Sequence, residues 1–285
     1  MANVAKKVPE SVPGDFFVDA TCIDCDACRQ IAPSVFGEAT DTSFVQQQPA
    51  SPKDRQAAIH ALLSCPTGSI GCLGDDDVKA AMADFPILVE EPVYYCGFNS
   101  PRSYGGNSYF IRHPDGNWLI DSPKFISPLV RRLEELGGIR YIFLTHRDDV
   151  ADAHRFAKHY GVKRIIDRRE LDSQPDAEIV IEGDEPTTFS DDFLAIPTPG
   201  HTEGHCCLLF ANRFLFTGDH LSWNRHRNQL AASRNYCWYS WEVQKISMER
   251  LAQHRFEWVL PGHGQRVRLP AEEMAEQMRG LVARM

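Results

Sequence analysis

Cys22, Cys25 and Cys28 stand three residues apart, and a distant Cys65 is followed at once by Pro66. Few patterns constrain a chain more. Three thiolates on one short loop grip three corners of an iron–sulfur cube, and a fourth arriving from elsewhere closes it. A single zinc ion fits less well, because structural zinc takes paired CxxC or CxxC…HxxxH knuckles of tetrahedral reach. With Cys25 present, the expected cofactor is a [4Fe-4S] cluster on Cys22, Cys25, Cys28 and Cys65.

The surrounding run TCIDCDACRQIAPSVF, residues 21–36, resembles a bacterial-type ferredoxin. In two-cluster members a Cys-Pro follows the third cysteine after three residues and serves the other cluster. Here that position is Ala32, followed by Pro33, and the CxxCxxC run occurs once. One cluster is therefore expected. Residues 51–64, SPKDRQAAIHALLS, stand where the second cluster would be. A Ser-Pro start and an apolar stripe of Ala58, Ile59, Leu62 and Leu63 predict a helix there.

At 285 residues the chain is long enough for two domains, and 43% hydrophobic with 24% charged is ordinary for a globular protein. Its apolar runs are far short of a membrane span. The first residues lack the apolar core of a secretory signal. Of nine cysteines, four are assigned to the cluster, and the odd remainder argues for a reducing, cytoplasmic setting. The net charge of −9, with no Lys/Arg block, argues against nucleic acid as a partner. A small-molecule substrate and a redox partner are expected instead; the oligomeric state is not legible.

The expected division is a ferredoxin-like α+β domain over 1–85 and a second domain over 86–285, α/β in class overall. The acidic stretch 71–86 reads as a linker or short connecting helix. Beyond it come strands around the HPDG turn of 107–123, an amphipathic helix over 126–137, the buried strand IRYIFLTH and a helix near 150–160. Further strands follow, then helices at about 241–254 and 271–283.

Several of these strands run out into His- or Asp-bearing turns. PTPGHTEGH at 197–205, FTGDH at 216–220 and LPGHG at 260–264, with TH146 and IDSP at 120–123, resemble the metallo-β-lactamase superfamily in order and spacing. The resemblance covers about two thirds of the chain. It implies a four-layer αβ/βα sandwich with metal at one edge of its sheets. It also implies that His201 binds a first metal, Asp219 bridges, His263 binds a second, and Thr202 and His205 support them. Imidazole and carboxylate suit zinc or non-haem iron.

The superfamily's HxHxDH run is broken here. His146 is in place, Asp148 replaces the second His, and Val150-Ala151 replace the Asp-His pair. The first position keeps His146, His201 and Asp219, with Asp148 as an addition; the second keeps only His263 and the shared Asp219. Two protein ligands seldom hold a divalent ion with an open position. Three readings follow. The preferred one is a redox enzyme with one non-haem iron on His146, His201 and Asp219, fed by the cluster, with Asp148 and His263 as auxiliary ligands or proton-handling groups. The second is a mononuclear zinc hydrolase of an ester or thioester. The third is a non-catalytic electron-transfer or redox-sensing protein on the same scaffold.

Some features carry a plain reading beside a sharper one. Asp149, Asp152 and His154 read as a solvated, acid-rich helix N-terminus favoured by the helix dipole, or as replacement ligands. Cys206 and Cys207 read as small core residues on opposite faces of a strand. The aromatic segment NYCWYSW, with Trp223, reads as core packing between domains or as a lid over an apolar substrate. Leu221 to Tyr239 reads as a long irregular stretch shaping a site.

Overall fold

The computed structural model describes residues 2–285. The chain divides into two compact units. The first runs to Asn117 and takes in Ser122–Ile139; the second holds Trp118–Asp121 and Arg140–Met285.

In the first unit, Phe16–Val18 pairs antiparallel with Ile70–Cys72, and Phe36–Glu38 with Ser43–Val45. The predicted helix is present as Pro52–Ser64, and its start follows from its residues. Ser51 Oγ accepts the Asp54 N–H at 3.1 Å, and Pro52 occupies the first turn. Ala58, Ile59 and Ala61 face a core of Phe16, Val18, Phe36 and Val45, while Leu62 and Leu63 pack at its margin. The cysteine loop turns through Asp24 and Asp26, both in the left-handed region, which Asp tolerates better than most residues. Their carboxylates clamp the buried Arg29 at 2.6 Å each, so the turn closes on a charge pair. Residues 71–86 hold the short helix Val78–Ala81, capped by the Asp77 carboxylate, and a 3-10 turn. The antiparallel strands Ile87–Glu90, Val93–Tyr95 and Tyr109–Ile111 follow. The amphipathic helix is Ser127–Glu135, with Leu129, Val130 and Leu133 buried. Beyond it, the Asn117 amide donates to the carbonyls of Leu136 and Gly138.

The second unit is two sheets with helices. Trp118–Ile120, Tyr141–Phe143, Lys163–Asp167 and Ile179–Ile181 run parallel. The other sheet has six strands, among them Phe193–Pro197, Cys206–Phe210, Phe214–Gly218 and Trp258–Pro261. Trp118 stacks on Phe193 with ring centres 4.1 Å apart, which packs the inner faces of the sheets together. The helices Trp241–Leu251 and Ala271–Arg284 send Met248, Leu251, Met274, Met278 and Leu281 against Ile196, Leu209, Leu215 and Val259. Each such fully buried side chain contributes roughly 1.5–3 kcal/mol, which offsets the entropy of ordering the chain. Cys207 belongs to this core and Cys206 is equally buried, as small core residues should be. The stretch expected to be irregular contains a hairpin, Ser222–Asn224 with Gln229–Ala231, and a 3-10 turn Arg234–Tyr236. Among the described residues, no helix is long and apolar enough to cross a membrane.

Candidate functional site

The four cluster cysteines line one pocket in the first unit, with Val18, Ile70 and Pro66 in its wall. None is in a disulfide. Backbone N–H groups of Ser43 and Ser69 point at the sulfurs of Cys22 and Cys65, at 3.4 and 3.3 Å. Such donors stabilise thiolate carrying cluster charge. Burial pushes the Cys25 thiol up to about 12 and raises Cys28 as well, so bare thiols would stay protonated. Iron coordination reverses this by deprotonating them outright. Zinc bound at about 2.3 Å would draw its sulfurs to within about 4 Å of one another. Among the described residues, no three of these thiols lie within 4.8 Å of one another. The wider cradle suits a cube.

In the second unit, strands deliver the other expected residues. Tyr141–Phe143 leads into Thr145 and His146, Phe193–Pro197 towards His201, Phe214–Gly218 into Asp219, and Trp258–Pro261 into His263. A strand held in a sheet is a stiff mount, which is why ligands come from its ends. His146 Nε2 is 3.7 Å from Asp219 Oδ2 and 3.9 Å from Asp148 Oδ2. His201 Nε2 is 3.7 Å from Asp219 Oδ2 and 3.5 Å from Asp148 Oδ2. His263 Nδ1 meets Asp219 Oδ1 at 2.7 Å.

Both His146 and His201 are oriented by what their other nitrogen touches. Thr145 Oγ1 lies 3.0 Å from each Asp121 oxygen and 3.0 Å from His146 Nδ1. With the hydroxyl donated to Asp121, its oxygen accepts the Nδ1–H and leaves the Nε2 lone pair facing the site. His201 Nδ1 donates to the Tyr236 carbonyl, with the same result. Each Nε2 is buried without a hydrogen-bond partner. Burial also pulls His146 down to about 4, so its imidazole is neutral at pH 7.

The carboxylates divide by surroundings. Asp148 is half exposed, and the His201 imidazole beside it holds its carboxyl below the usual range. Burial works to raise Asp219, but His263, His146 and His201 outweigh it and keep it ionised. Asp149 is the correction. Its side chain is 1% exposed, not solvated, and burial with Asp219 nearby raises its carboxyl well above the usual range. Of the other two flanking residues, Asp152 is also buried rather than solvated and pairs with Arg155 at 3.4 Å, while His154 is exposed.

Thr202 and His205 are both buried, and the His205 ring lies 5.2 Å from that of His146. Thr198 Oγ1 sits 2.9 Å from His205 Nδ1. Gly218 makes this proximity possible: a Cβ there would come 2.5 Å from His205 Nε2 and 2.7 Å from Thr145 Oγ1. His220 is buried and stacked on His205 at 4.9 Å, a role that only the TGDH tetrapeptide hinted at. The aromatic segment is not core packing. Tyr236 and Trp238 are 64% and 63% exposed, while the backbone N–H groups of Trp238 and Tyr239 donate to the His201 carbonyl.

Residues 102–263, more than half of the chain, match the metallo-beta-lactamase superfamily. The chain belongs to that superfamily. Residues 18–72 match the 4Fe-4S single cluster domain of ferredoxin I, so the fusion expected from the motifs is present. The hydroxyacylglutathione hydrolase of Salmonella paratyphi A is 28% identical over 116 residues, 40% of this chain and 46% of that protein. Its counterpart in Salmonella newport is equally similar, 28% over 116 residues. The chain thus spans less than half the length of the curated relatives it matches. Among solved structures, DIM-1 metallo-beta-lactamase exposed to ceftazidime has a TM-score of 0.53 at 16% identity, covering 69% of this chain and 95% of that one. VMB-1 at pH 5.5 has a TM-score of 0.52 at 16% identity, with the same coverage. At such identities the likeness concerns the fold alone.

A metallo-beta-lactamase fold implies a divalent metal, and the residues fit one. Two ligands about 2.1 Å from a common ion stand about 3.0–3.5 Å apart, close to the 3.5–3.9 Å separations of the bare imidazole nitrogens from the carboxylate oxygens. At those distances the groups are too far apart to satisfy one another by hydrogen bonds. Unpartnered buried nitrogens are otherwise costly.

Proposed function

We propose that the chain is a redox enzyme holding a non-haem iron on His146, His201 and Asp219, with Asp148 beside them, and drawing electrons through its [4Fe-4S] cluster. The observation that carries this reading is the pairing, in one chain, of a cluster cradle with a metal site of two imidazoles and two carboxylates. That donor set is the facial triad suited to iron, with one added oxygen. Iron bound there supplies one-electron chemistry and open positions for a small-molecule substrate.

The chain's own residues do the rest. Thr145 and Tyr236 hold the imidazoles in the tautomer that presents Nε2. His263 fixes Asp219 through its Nδ1. Half-exposed Asp148 reaches both solvent and the site, the position a proton carrier needs. Trp238 and Tyr236 offer exposed aromatic surface beside His201, suited to an apolar part of the substrate. A redox partner would deliver electrons to the cluster.

The hydroxyacylglutathione hydrolase similarity supports a second reading, a zinc hydrolase of a thioester. The Cys25→Ser variant separates the two. The redox reading expects loss of the cluster's visible absorbance together with all electron-driven turnover, while metal at the second-unit site is retained. Hydrolysis of a thioester panel unchanged in that variant would favour the hydrolase.

A further inference from the structure

By motif, the second metal position is left with Asp219 and His263 alone, because Val150 and Ala151 replace the Asp-His pair. The turn that carries the break tells otherwise. Arg147–Asp149 forms a 3-10 turn closed by Val150, and Ala151 just beyond it has a φ of 28°. In this turn Asp149 is folded inward to 1% exposure, and neither carboxylate oxygen has a hydrogen-bond partner. It has not found a cation among the side chains: among the described residues, no salt bridge to Asp149 is formed.

The carboxylate is aimed at metal-type donors. Ligand atoms of Asp149, Asp219 and His146 lie within 4.8 Å of one another. A Cβ on Gly262 would stand 2.5 Å from Asp149 Oδ2 and 2.8 Å from Asp219 Oδ1, so both oxygens converge over that glycine, next to His263. Asp219 Oδ1 is the oxygen facing His263, whereas Oδ2 faces His146 and His201. The bridging carboxylate therefore presents one oxygen to each side. His146 Nε2, fully buried and unpartnered, lies in the same corner.

Two carboxylates this close, one without any donor, are settled either by a proton or by a cation between them. We propose that Asp149 replaces the missing Asp-His pair and that Asp149, Asp219 and His263 hold a second divalent cation, making the centre dinuclear. The oxygen-rich donors favour manganese or iron over zinc. The inference rests on the reading of His146 and His201 as the first position, and the test separates failure of the two.

The full chain, with its cluster intact by visible absorbance, would be freed of loosely held metal and titrated with Mn²⁺ under anaerobic conditions. Wild type should take up two equivalents, and the loaded protein should show the EPR signature of exchange-coupled Mn²⁺. The near-isosteric Asp149→Asn should bind one equivalent, uncoupled, with unchanged far-UV dichroism. His201→Ala should weaken the other equivalent at least tenfold. A single equivalent in wild type, or two coupled ions retained in Asp149→Asn, would overturn the second cation. Metal uptake unaffected by His201→Ala would overturn the first position instead. Should Asp149→Asn fail to fold, the wild-type stoichiometry and coupling still decide.

Discussion

His220 shows how much of the centre is made by groups outside the expected ligand set. Both of its nitrogens are buried without hydrogen bonds, and burial, with His201 and His146 nearby, takes it down to about 3. The unfolded chain therefore takes up a proton near pH 6.5 that the fold refuses. Stability contributed by neutral His220 is complete above about pH 6.5 and is lost as pH falls towards 3, at about 1.4 kcal/mol per pH unit. Urea denaturation between about pH 5 and 6.5 should show His220→Phe losing less stability per pH unit than wild type; parallel profiles would contradict this. The residues around it differ in how far they can be read without coordinates. His146, His201, Asp219 and His263 are legible because each ends an apolar strand in a recurring tetrapeptide. Asp149 is not. Motif spacing assigns roles by offset from His146, and a 3-10 turn changes which of two adjacent carboxylates points inward. Nothing in Asp148-Asp149 says which one.

Secondary-structure elements follow local chemistry more openly. The helix Pro52–Ser64 is marked at its start by Ser51 and Pro52, and the structure has the cap they imply. Ser51→Ala should destabilise the first unit by about 1 kcal/mol, read as a lower denaturation midpoint with unchanged cluster absorbance at rest. No change would mean that water replaces the cap without loss. The sandwich strands were equally plain, because strands buried on both faces read as short uninterrupted apolar runs. The segment Leu221–Tyr239 was harder. Its hairpin strands are three residues each, too short for an alternation pattern to register. Its aromatics looked like core material because composition cannot tell a buried ring from one held outward. What holds Trp238 in place is its backbone bond to the His201 carbonyl, which no side-chain pattern encodes.

At the scale of the molecule, a cluster-binding module and a metallo-beta-lactamase fold share one chain, and each alters the meaning of the other. The second fold alone, with its similarity to hydroxyacylglutathione hydrolases, points to hydrolysis. The cluster adds a source of single electrons that hydrolysis does not use, and Asp148 in place of the motif's second His shifts the donors towards oxygen. On the proposed reading both changes favour iron. The most direct measurement is anomalous diffraction from crystals of anaerobically prepared protein, at the iron and zinc absorption edges. The account predicts an iron peak enclosed by His146, His201 and Asp219, in addition to the cluster. A zinc peak there, or no metal peak at all, would contradict it.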